Sequence, residues 1–254
     1  MSQTYRTTGI NLKAMPLGES DRLLTILTHD HGLIRVVAPG ARKHKSGMAG
    51  RSGLFVINDL VITKGRSLDR ITQAEIRQSF IGLGQNLAKL TAAQYLAELT
   101  MIQAIAGQPQ ADLYLLLTAH LERLIQAQGT ASILAHLNHG IYHLLAAAGI
   151  APQVYHCCIS RQPVTPTLQP KIPFSIMAGG LVLVPTDLPI KHQLQTKELE
   201  GLQQLVRTEL ANEQIHDLGV KVWLTIEKVL RAYARYHLEK PIESATLVDD
   251  CFNL

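Results

Sequence analysis

The sequence predicts an α+β protein in which a small β-barrel precedes a larger helical domain. β-Branched residues and turn residues alternate through the first 80 residues, whereas leucine and isoleucine recur at helical spacing from about residue 84 to 149. Seven of the eleven prolines fall within residues 150–193, which excludes a long helix there. We therefore predict a barrel domain over residues 1–80 and a helical domain over residues 81–254, with an irregular insert at residues 150–193.

Five segments of the first domain have the character of short strands. Gly, Pro, Asp or Ser separates most of them. Five short strands favour a closed barrel because closure removes unpaired strand edges, and the five-stranded oligonucleotide-binding (OB) barrel is the arrangement that we predict. The predicted strands are residues 5–15, 22–28, 33–38, 54–63 and 68–76.

Helices account for most of the second domain. Apolar residues at spacings of three and four mark three helices before the insert and two after it. Gly107 and Pro109 end the first helix, and Gly149 and Pro152 end the third. The first three helices are predicted to end near residues 106, 128 and 149, and the last two to span about residues 196–211 and 218–237.

Positive charge is concentrated in the barrel domain. Residues 1–80 contain twelve Lys and Arg against six Asp and Glu, a net charge of +6. The whole chain carries +4, so residues 81–254 carry −2. A basic barrel predicts an acidic partner, and nucleic acid is the commonest one.

A burst of positive charge follows the third predicted strand, in a segment that contains Gly40, Gly47, Gly50 and Gly53. A flexible basic loop suits a phosphate backbone, which needs charge and reach more than a fixed shape. A solvated surface loop is the alternative interpretation of the same pattern. The residues predicted to bind DNA are Lys13, Arg22, Arg35, Arg42, Lys43, Lys45, Arg51, Lys64, Arg66 and Arg70.

Aromatic residues are scarce in the barrel domain, which holds Tyr5, Phe55 and Phe80. Proteins that bind single strands often stack bases on several exposed rings. Few rings, some of them in the core, predict that phosphate contacts dominate. We therefore expect a steep salt dependence and little sequence preference.

Several other classes of protein are disfavoured by the sequence. No run of about 20 apolar residues exists to span a membrane, and the first residues lack the apolar stretch of a secretion signal. Cys157, Cys158 and Cys251 form a poor disulfide framework and suit a reducing cytosol. No phosphate-binding P-loop or nucleophile-elbow motif is present, so we expect neither a nucleotide-driven motor nor a ligase.

Three histidines share one face of the third predicted helix. His136, His139 and His143 could together hold a catalytic metal. That face lies opposite Leu137 and Ile141, which predicts that the histidines are exposed and carry no ligand. A metal-dependent hydrolase is accordingly the least supported hypothesis.

Five segments of the chain occur in an order that is typical of one known family. They are GESDRLLTILTHDHGLIRVVAPGARK (18–43), LAKLTAAQYLAELT (87–100), LLAAAGIAPQVYHC (144–157), FSIMAGGLV (174–182) and LRAYARYHLEKPIES (230–244). Together they span nearly the whole chain, and the first is the most specific. In these segments the chain resembles the RecO family of bacterial recombination mediators.

The resemblance implies an OB barrel, a helical domain and a non-enzymatic role in DNA repair. RecO-like proteins bind single- and double-stranded DNA and anneal complementary strands. They also contact the tail of single-strand-binding protein and, with RecR, help to load RecA. We therefore expect DNA, this tail and RecR as partners, and a cytoplasmic, nucleoid-associated location. The alternative is a protein-interaction adaptor whose barrel does not bind DNA.

One departure from the family concerns zinc. Many members carry two CxxC pairs in the insert, but here the first pair has Ser160 in place of its second cysteine, and the second pair lacks cysteine. A structural zinc needs four donors, and only Cys157, Cys158 and His156 remain. We predict no cofactor and no metal, with Leu183 and Val184 packing where the metal would be.

The partner groove is less well defined by the sequence. A groove for an acidic peptide with an apolar end needs apolar walls and a nearby cation for the carboxylate. Trp223 could form one wall, although packing in the core explains this residue without any function. The candidate residues for partner binding are Arg123, Arg207, Lys221, Trp223 and Arg231.

Overall fold

The protein is described from a computed structural model, which covers residues 3–252. The chain divides into two compact units that interleave in sequence. The barrel unit contains the residues up to 86 together with 100–125, and the helical unit contains 87–99 together with the residues from 126 onward. These units are not separated by a single boundary in the sequence. The division into domains 1–80 and 81–254 stays a prediction.

Five strands and two helical segments build most of the barrel unit. The predicted α+β class with an N-terminal five-stranded barrel is confirmed. The strand ends differ from the predicted ones by up to three residues, and a short helix before the fourth strand was not predicted. The elements are β1 (Thr4–Leu17), β2 (Asp21–Thr28), β3 (Gly32–Ala38), α1 (Met48–Arg51), β4 (Val56–Thr63), β5 (Asp69–Ser79) and, after α2, α3 (Ala111–Gln126).

The barrel closes in the strand order β1-β2-β3-β5-β4, which is the order of an OB barrel. Every neighbouring pair is antiparallel except β3 and β5, which run parallel and pair only at Val36–Asp69 and Val37–Arg70. Alternate residues point inward and form an aliphatic core. The most deeply buried members of this core are Leu24, Ile26, Val36, Ala38, Ala41, Leu60, Ile62 and Ile71.

Side chains of the barrel hold the α1 segment against it. The Asn11 amide nitrogen donates to the carbonyl oxygens of Arg51 and Gly53, each at 2.8 Å. Asn58 donates to the same Arg51 oxygen at 3.0 Å. Asn11 and Asn58 are almost fully buried, so these hydrogen bonds satisfy polar groups that would be costly to leave unpaired.

The turn between β2 and β3 packs against the segment that precedes α3. Gly32 has a φ of +63°, and a Cβ atom there would lie 2.1 Å from the carbonyl oxygen of Ile105. The Leu33 amide donates to that oxygen at 3.3 Å, and the Gly107 amide donates to His31 at 3.0 Å. Only glycine permits this close approach of two backbones.

The helical unit contains three long helices, two shorter ones and a small sheet. Helix α5 ends at Gln204, seven residues before the predicted end, and α6 begins six residues early with a break at Gly219, whose φ of 76° is not helical. The elements are α2 (Leu87–Gln103, shared with the barrel unit), α4 (Gly129–Ala147), β6 (Lys171–Ser175), β7 (Gly180–Leu181), β8 (His192–Gln195), α5 (Thr196–Gln204), α6 (Asn212–Leu238) and α7 (Thr246–Phe252).

The insert predicted to be irregular contains a three-stranded sheet in the order β7-β6-β8. Phe174 and Leu181 pair across β6 and β7 and are fully buried. The strands are only two to five residues long. Such short strands among many prolines show no clear alternation in the sequence, so they were not predicted.

Within residues 3–252, no helix is long and apolar enough to cross a lipid bilayer.

Candidate nucleic-acid interface

A row of three side chains crosses the outer face of the barrel. Lys13 of β1 is paired with Thr25 of β2, which is paired with Arg35 of β3. Their neighbours Leu24 and Val36 point into the core, so the row points outward. Strand spacing places the outer two Cα atoms about 10 Å apart. Lys13 and Arg35 are both exposed, and the row can therefore meet an anion from solvent.

The start of the basic loop is anchored at one end of the barrel by the turn between β1 and β2. The Arg42 amide donates to Ser20 at 2.8 Å, and its guanidinium donates to the carbonyl oxygen of Gly18 at 2.7 Å. The Gly40 amide donates to the Asp21 carboxylate at 2.8 Å. The loop therefore leaves β3 in a fixed direction.

The pKa of Asp21 shows which cations lie near this end of the barrel. The hydrogen bond from the Gly40 amide lowers the pKa of the Asp21 carboxyl, and the Ser20 hydroxyl, Arg70 and Lys43 lower it further. Arg70 comes from the start of β5 and Lys43 from the loop after β3, so different segments of the sequence contribute positive charge to one end.

Eight of the ten predicted DNA-binding residues are exposed to solvent. The other two are engaged within the fold. The Arg22 guanidinium donates to the hydroxyl of buried Ser52 at 2.9 Å, and the Arg51 guanidinium donates to the carbonyl oxygen of Gly47. DNA contact by the exposed group stays a prediction. Its members are Lys13, Arg35, Arg42, Lys43, Lys45, Lys64, Arg66 and Arg70.

Arg6 and Arg77 were not singled out from the sequence, although they line an open groove of about 740 Å³ on the barrel. This groove also contains Asp30, Asp59 and Glu75, and Arg77 pairs with Asp59 at 3.3 Å. Arg51 also lines the groove, so three arginines stand against three carboxylates and the charges balance. The groove is therefore a weaker phosphate site than the row that contains Lys13 and Arg35.

The three aromatic residues of residues 1–80 offer little surface for stacking. Phe55 and Phe80 are buried. Tyr5 is half-buried, its hydroxyl donates to Asp69 at 2.9 Å, and its ring packs edge-on against His31. The expectation that some of these rings belong to the core therefore agrees with the structure.

Trp223 does not form the wall of an open groove. It is fully buried, and its indole nitrogen donates to the carbonyl oxygen of Ile215 at 3.1 Å. Its own carbonyl accepts a hydrogen bond from Asn138 of α4 at 2.8 Å. Trp223 is a core residue that joins α4 to α6, and the groove interpretation of this residue is wrong.

The cations proposed for partner binding differ in their surroundings. Arg231 binds Glu227 and Asp249 through two pairs of hydrogen bonds of 2.6–3.0 Å. Arg207 and Lys221 are exposed, and Arg123 belongs to the barrel unit.

An apolar pocket of about 130 Å³ lies elsewhere in the helical unit. It is lined by Ile176, Met177, Pro189, Lys191 and Tyr236. Met177 and Tyr236 are each about half exposed, so an incoming side chain can reach the pocket. Apolar walls beside a lysine are the features that an acidic peptide with an apolar end requires. Sequence reasoning missed this pocket because its residues come from separate segments.

The exposed histidine face predicted for α4 is wrong. His139 is fully buried, and its Nε2 lies 2.8 Å from the carbonyl oxygen of Arg207. His143 Nε2 lies 3.0 Å from the same oxygen. Helix α4 is buried on nearly all sides, because small residues such as Gly140 let neighbours approach closely: a Cβ there would lie 2.7 Å from Leu96.

The residues at the expected zinc position do not fit a zinc ion. The Cys157 sulfur accepts hydrogen bonds from the amides of Ser160 at 3.4 Å and Leu183 at 3.2 Å. The segment where the second CxxC pair would be thus presents the backbone N–H of Leu183, whereas a zinc site needs a soft donor there. Leu183 and Val184 are only half-buried, and Leu181 and Val182 pack instead. That the protein needs no metal stays a prediction.

Backbone hydrogen bonds change the acidity of Cys157. Burial raises the pKa of this thiol, but hydrogen bonds from Ser160 and Leu183 outweigh burial and lower the pKa to about 7. The pKa of neighbouring Cys158 is raised by burial. One cysteine of the pair is therefore held as a hydrogen-bond acceptor.

Comparison with known proteins matches both halves of the chain. Residues 1–80 match the family model "Recombination protein O N terminal", and residues 84–246 match "Recombination protein O C terminal". These are the regions that contain the barrel strands and most of the helices.

Proteins of several organisms are also similar over nearly their whole length. A protein of Nostoc sp. is 43% identical, over 99% of this chain and 97% of its own length. One from Trichodesmium erythraeum is 47% identical, over 98% and 95%, and one from Cyanothece sp. is 46% identical, over 100% and 98%. Each of these relatives is named DNA repair protein RecO. This similarity extends over the entire barrel and helical regions, and the chain belongs to the RecO family.

Proposed function

We propose that this protein is a DNA-binding recombination mediator that acts in DNA repair without enzymatic chemistry. It binds single- and double-stranded DNA, anneals complementary strands and helps to load a recombinase onto DNA coated with single-strand-binding protein. The observation that carries this proposal is the exposed Lys13–Thr25–Arg35 row, next to a barrel end where Lys43 and Arg70 gather.

Charge neutralisation explains why such a protein can anneal strands without hydrolysing a nucleoside triphosphate. Two DNA strands repel each other, and cations that bind their phosphates reduce this repulsion and release counterions. Because Phe55 and Phe80 are buried and Tyr5 is half-buried, base stacking contributes little, and binding depends on salt more than on sequence.

The helical unit supplies the partner surface in this proposal. The tail of single-strand-binding protein docks its apolar end in the pocket lined by Met177 and Tyr236, with Lys191 facing its carboxylate. RecR is the second protein partner. The setting that suits these partners is the bacterial cytoplasm, at the nucleoid.

A salt titration of DNA binding tests this proposal. Fluorescence anisotropy of a labelled single-stranded oligonucleotide is measured for wild type and for Lys13→Gln/Arg35→Gln/Lys43→Gln. Each lost phosphate contact lowers the salt slope by about 0.7, so at 0.1 M salt the triple variant should bind roughly a hundredfold more weakly. Arg42 is left intact because its side chain anchors the loop to Gly18.

The matched control is Arg161→Gln/Lys171→Gln/Lys197→Gln, which removes three exposed charges from the helical unit. It should bind the oligonucleotide as wild type does. Equal affinity of wild type and barrel variant would show that the row is not the DNA site. Absence of binding by wild type even at low salt would reject the DNA function and favour the adaptor.

A further inference from the structure

Helix α6 beyond Gly219 is strongly cationic, although residues 81–254 as a whole are net negative. Residues 220–238 hold four Lys and Arg, and Glu227 is their one carboxylate. Glu227 is fully buried. The solvent-facing side of this helix therefore carries positive charge that no acid on the same helix face compensates.

Three of these cations lie in a line. Lys221, Lys228 and Arg235 are seven residues apart, so they fall within about 40° of one another around the helix axis. The line from Lys221 to Arg235 is about 21 Å long. All three are exposed, and none belongs to an ion pair formed among residues 3–252. Between them on this face lie Leu224, Thr225, Arg231 and Ala232.

Two carboxylates beside the line already have a partner in Arg231. An open groove of about 490 Å³ is lined by Lys228, Arg231, Ala232, Arg235 and Asp249. Asp249 accepts two hydrogen bonds from Arg231, at 2.7 and 3.0 Å. Arg231 also binds Glu227, so this one cation stands against two carboxylates. Lys228 and Arg235 outweigh the remaining negative charge, and this part of the surface keeps a net charge of +1 for an anion from outside.

We propose that the line Lys221–Lys228–Arg235 is a second phosphate-binding surface that holds a second nucleic-acid strand. The proposal rests on the DNA-binding function proposed above and assigns it a further site. A phosphate backbone is the occupant that fits, because its charge repeats along a line, whereas the line itself contains no apolar pocket that would anchor a peptide side chain. With one strand on the barrel and another on α6, a single molecule neutralises both strands that are to be annealed.

The test uses the full-length protein and two non-complementary oligonucleotides, one with a donor dye and one with an acceptor dye. The variant is Lys221→Gln/Lys228→Gln/Arg235→Gln, in which glutamine keeps the helix propensity. The control is again Arg161→Gln/Lys171→Gln/Lys197→Gln. Energy transfer reports joint capture of the two strands, anisotropy reports binding of one strand, and a separate assay follows annealing of complementary strands.

We expect the α6 variant to bind one oligonucleotide within about twofold of wild type, while joint capture and annealing fall at least fivefold. The salt slope of the second binding step should fall by about 2, since each phosphate contact contributes about 0.7. The control should match wild type in all three assays. Joint capture by the α6 variant at the wild-type level would overturn the proposal and leave the line to an acidic protein.

The same data separate this proposal from the one on which it rests. If wild type binds one oligonucleotide but never two, the second site is rejected and the DNA-binding function stands. If wild type binds no oligonucleotide at low salt, the DNA-binding function itself is rejected.

Discussion

The barrel and the helical unit use arginine in opposite ways. Arg35 of the barrel stands on an exposed strand face, opposite Thr25 and beyond it Lys13, with its charge turned to solvent. Arg231 of the helical unit is only 14% exposed and binds two carboxylates, one of them fully buried. The comparison teaches that cations count as binding residues only where the fold leaves their charge uncompensated.

The largest effect expected from this difference is on stability. Arg231→Ala would leave Glu227 buried without its partner, and breaking a buried pair in this way costs about 3–5 kcal/mol in the free energy of unfolding. Chemical denaturation measures this change. Lys228→Ala, an exposed cation on the same helix, should cost no more than about 0.5 kcal/mol. If the two variants are equally stable, Arg231 does not have the structural role assigned to it.

A second effect concerns pH and the helical unit alone. The folded-state pKa of Cys157 is about 7, below the ordinary value of 9.0. A lowered pKa stabilises the fold above pH 9, and this contribution is lost as the pH falls through 7. The stability advantage of wild type over Cys157→Ser should therefore shrink by about 1–2 kcal/mol between pH 9 and pH 6.

Cys158→Ser provides the control for this pH effect. The pKa of Cys158 is raised rather than lowered, so this thiol stays protonated in both states from pH 6 to pH 8. Thermal melts over that interval should show a constant difference from wild type. A Cys157→Ser curve that runs parallel to that of wild type from pH 6 to pH 9 would contradict the hydrogen-bonded thiolate.

The smallest effect on stability is expected at the exposed ion pair of Arg77 and Asp59, which differs from the Arg231 network in its burial. Arg77 and Asp59 lie 3.3 Å apart on the barrel, but their side chains are 64% and 48% exposed. Solvent screens such pairs, so Arg77→Ala should change the free energy of unfolding by less than about 1 kcal/mol. A loss as large as that of Arg231→Ala would mean that burial does not explain the difference between the two arginines.

Local patterns made the barrel strands predictable. Apolar residues alternate in β2 and β3 on either side of the turn His29–Gly32. Each of these two strands is one residue longer than predicted. The charge on the barrel was predictable from composition, since residues 1–80 contain twelve Lys and Arg against six Asp and Glu. The roles of Arg22 and Arg51 were not, because their partners, Ser52 and Gly47, lie in a loop whose path has no sequence pattern.

Contacts between distant residues explain the other errors. Arg231 meets Asp249, which lies 18 residues further along the chain. His139 is buried because the carbonyl of Arg207 comes to lie against it, 68 residues away. Helical periodicity describes one helix in isolation and assumes that one face stays in solvent, whereas α4 is covered on nearly all sides.

The parallel pairing of β3 with β5 is the weakest seam of the barrel wall. Two residue pairs hold it, Val36–Asp69 and Val37–Arg70, whereas the other pairs of strands are joined along seven or more residues. One residue of this seam is Arg70, and Lys43 shares its charged surroundings at Asp21. A phosphate backbone that binds both cations would link β5 to the loop after β3 across this pairing, so the bound ligand would itself help to hold the barrel closed.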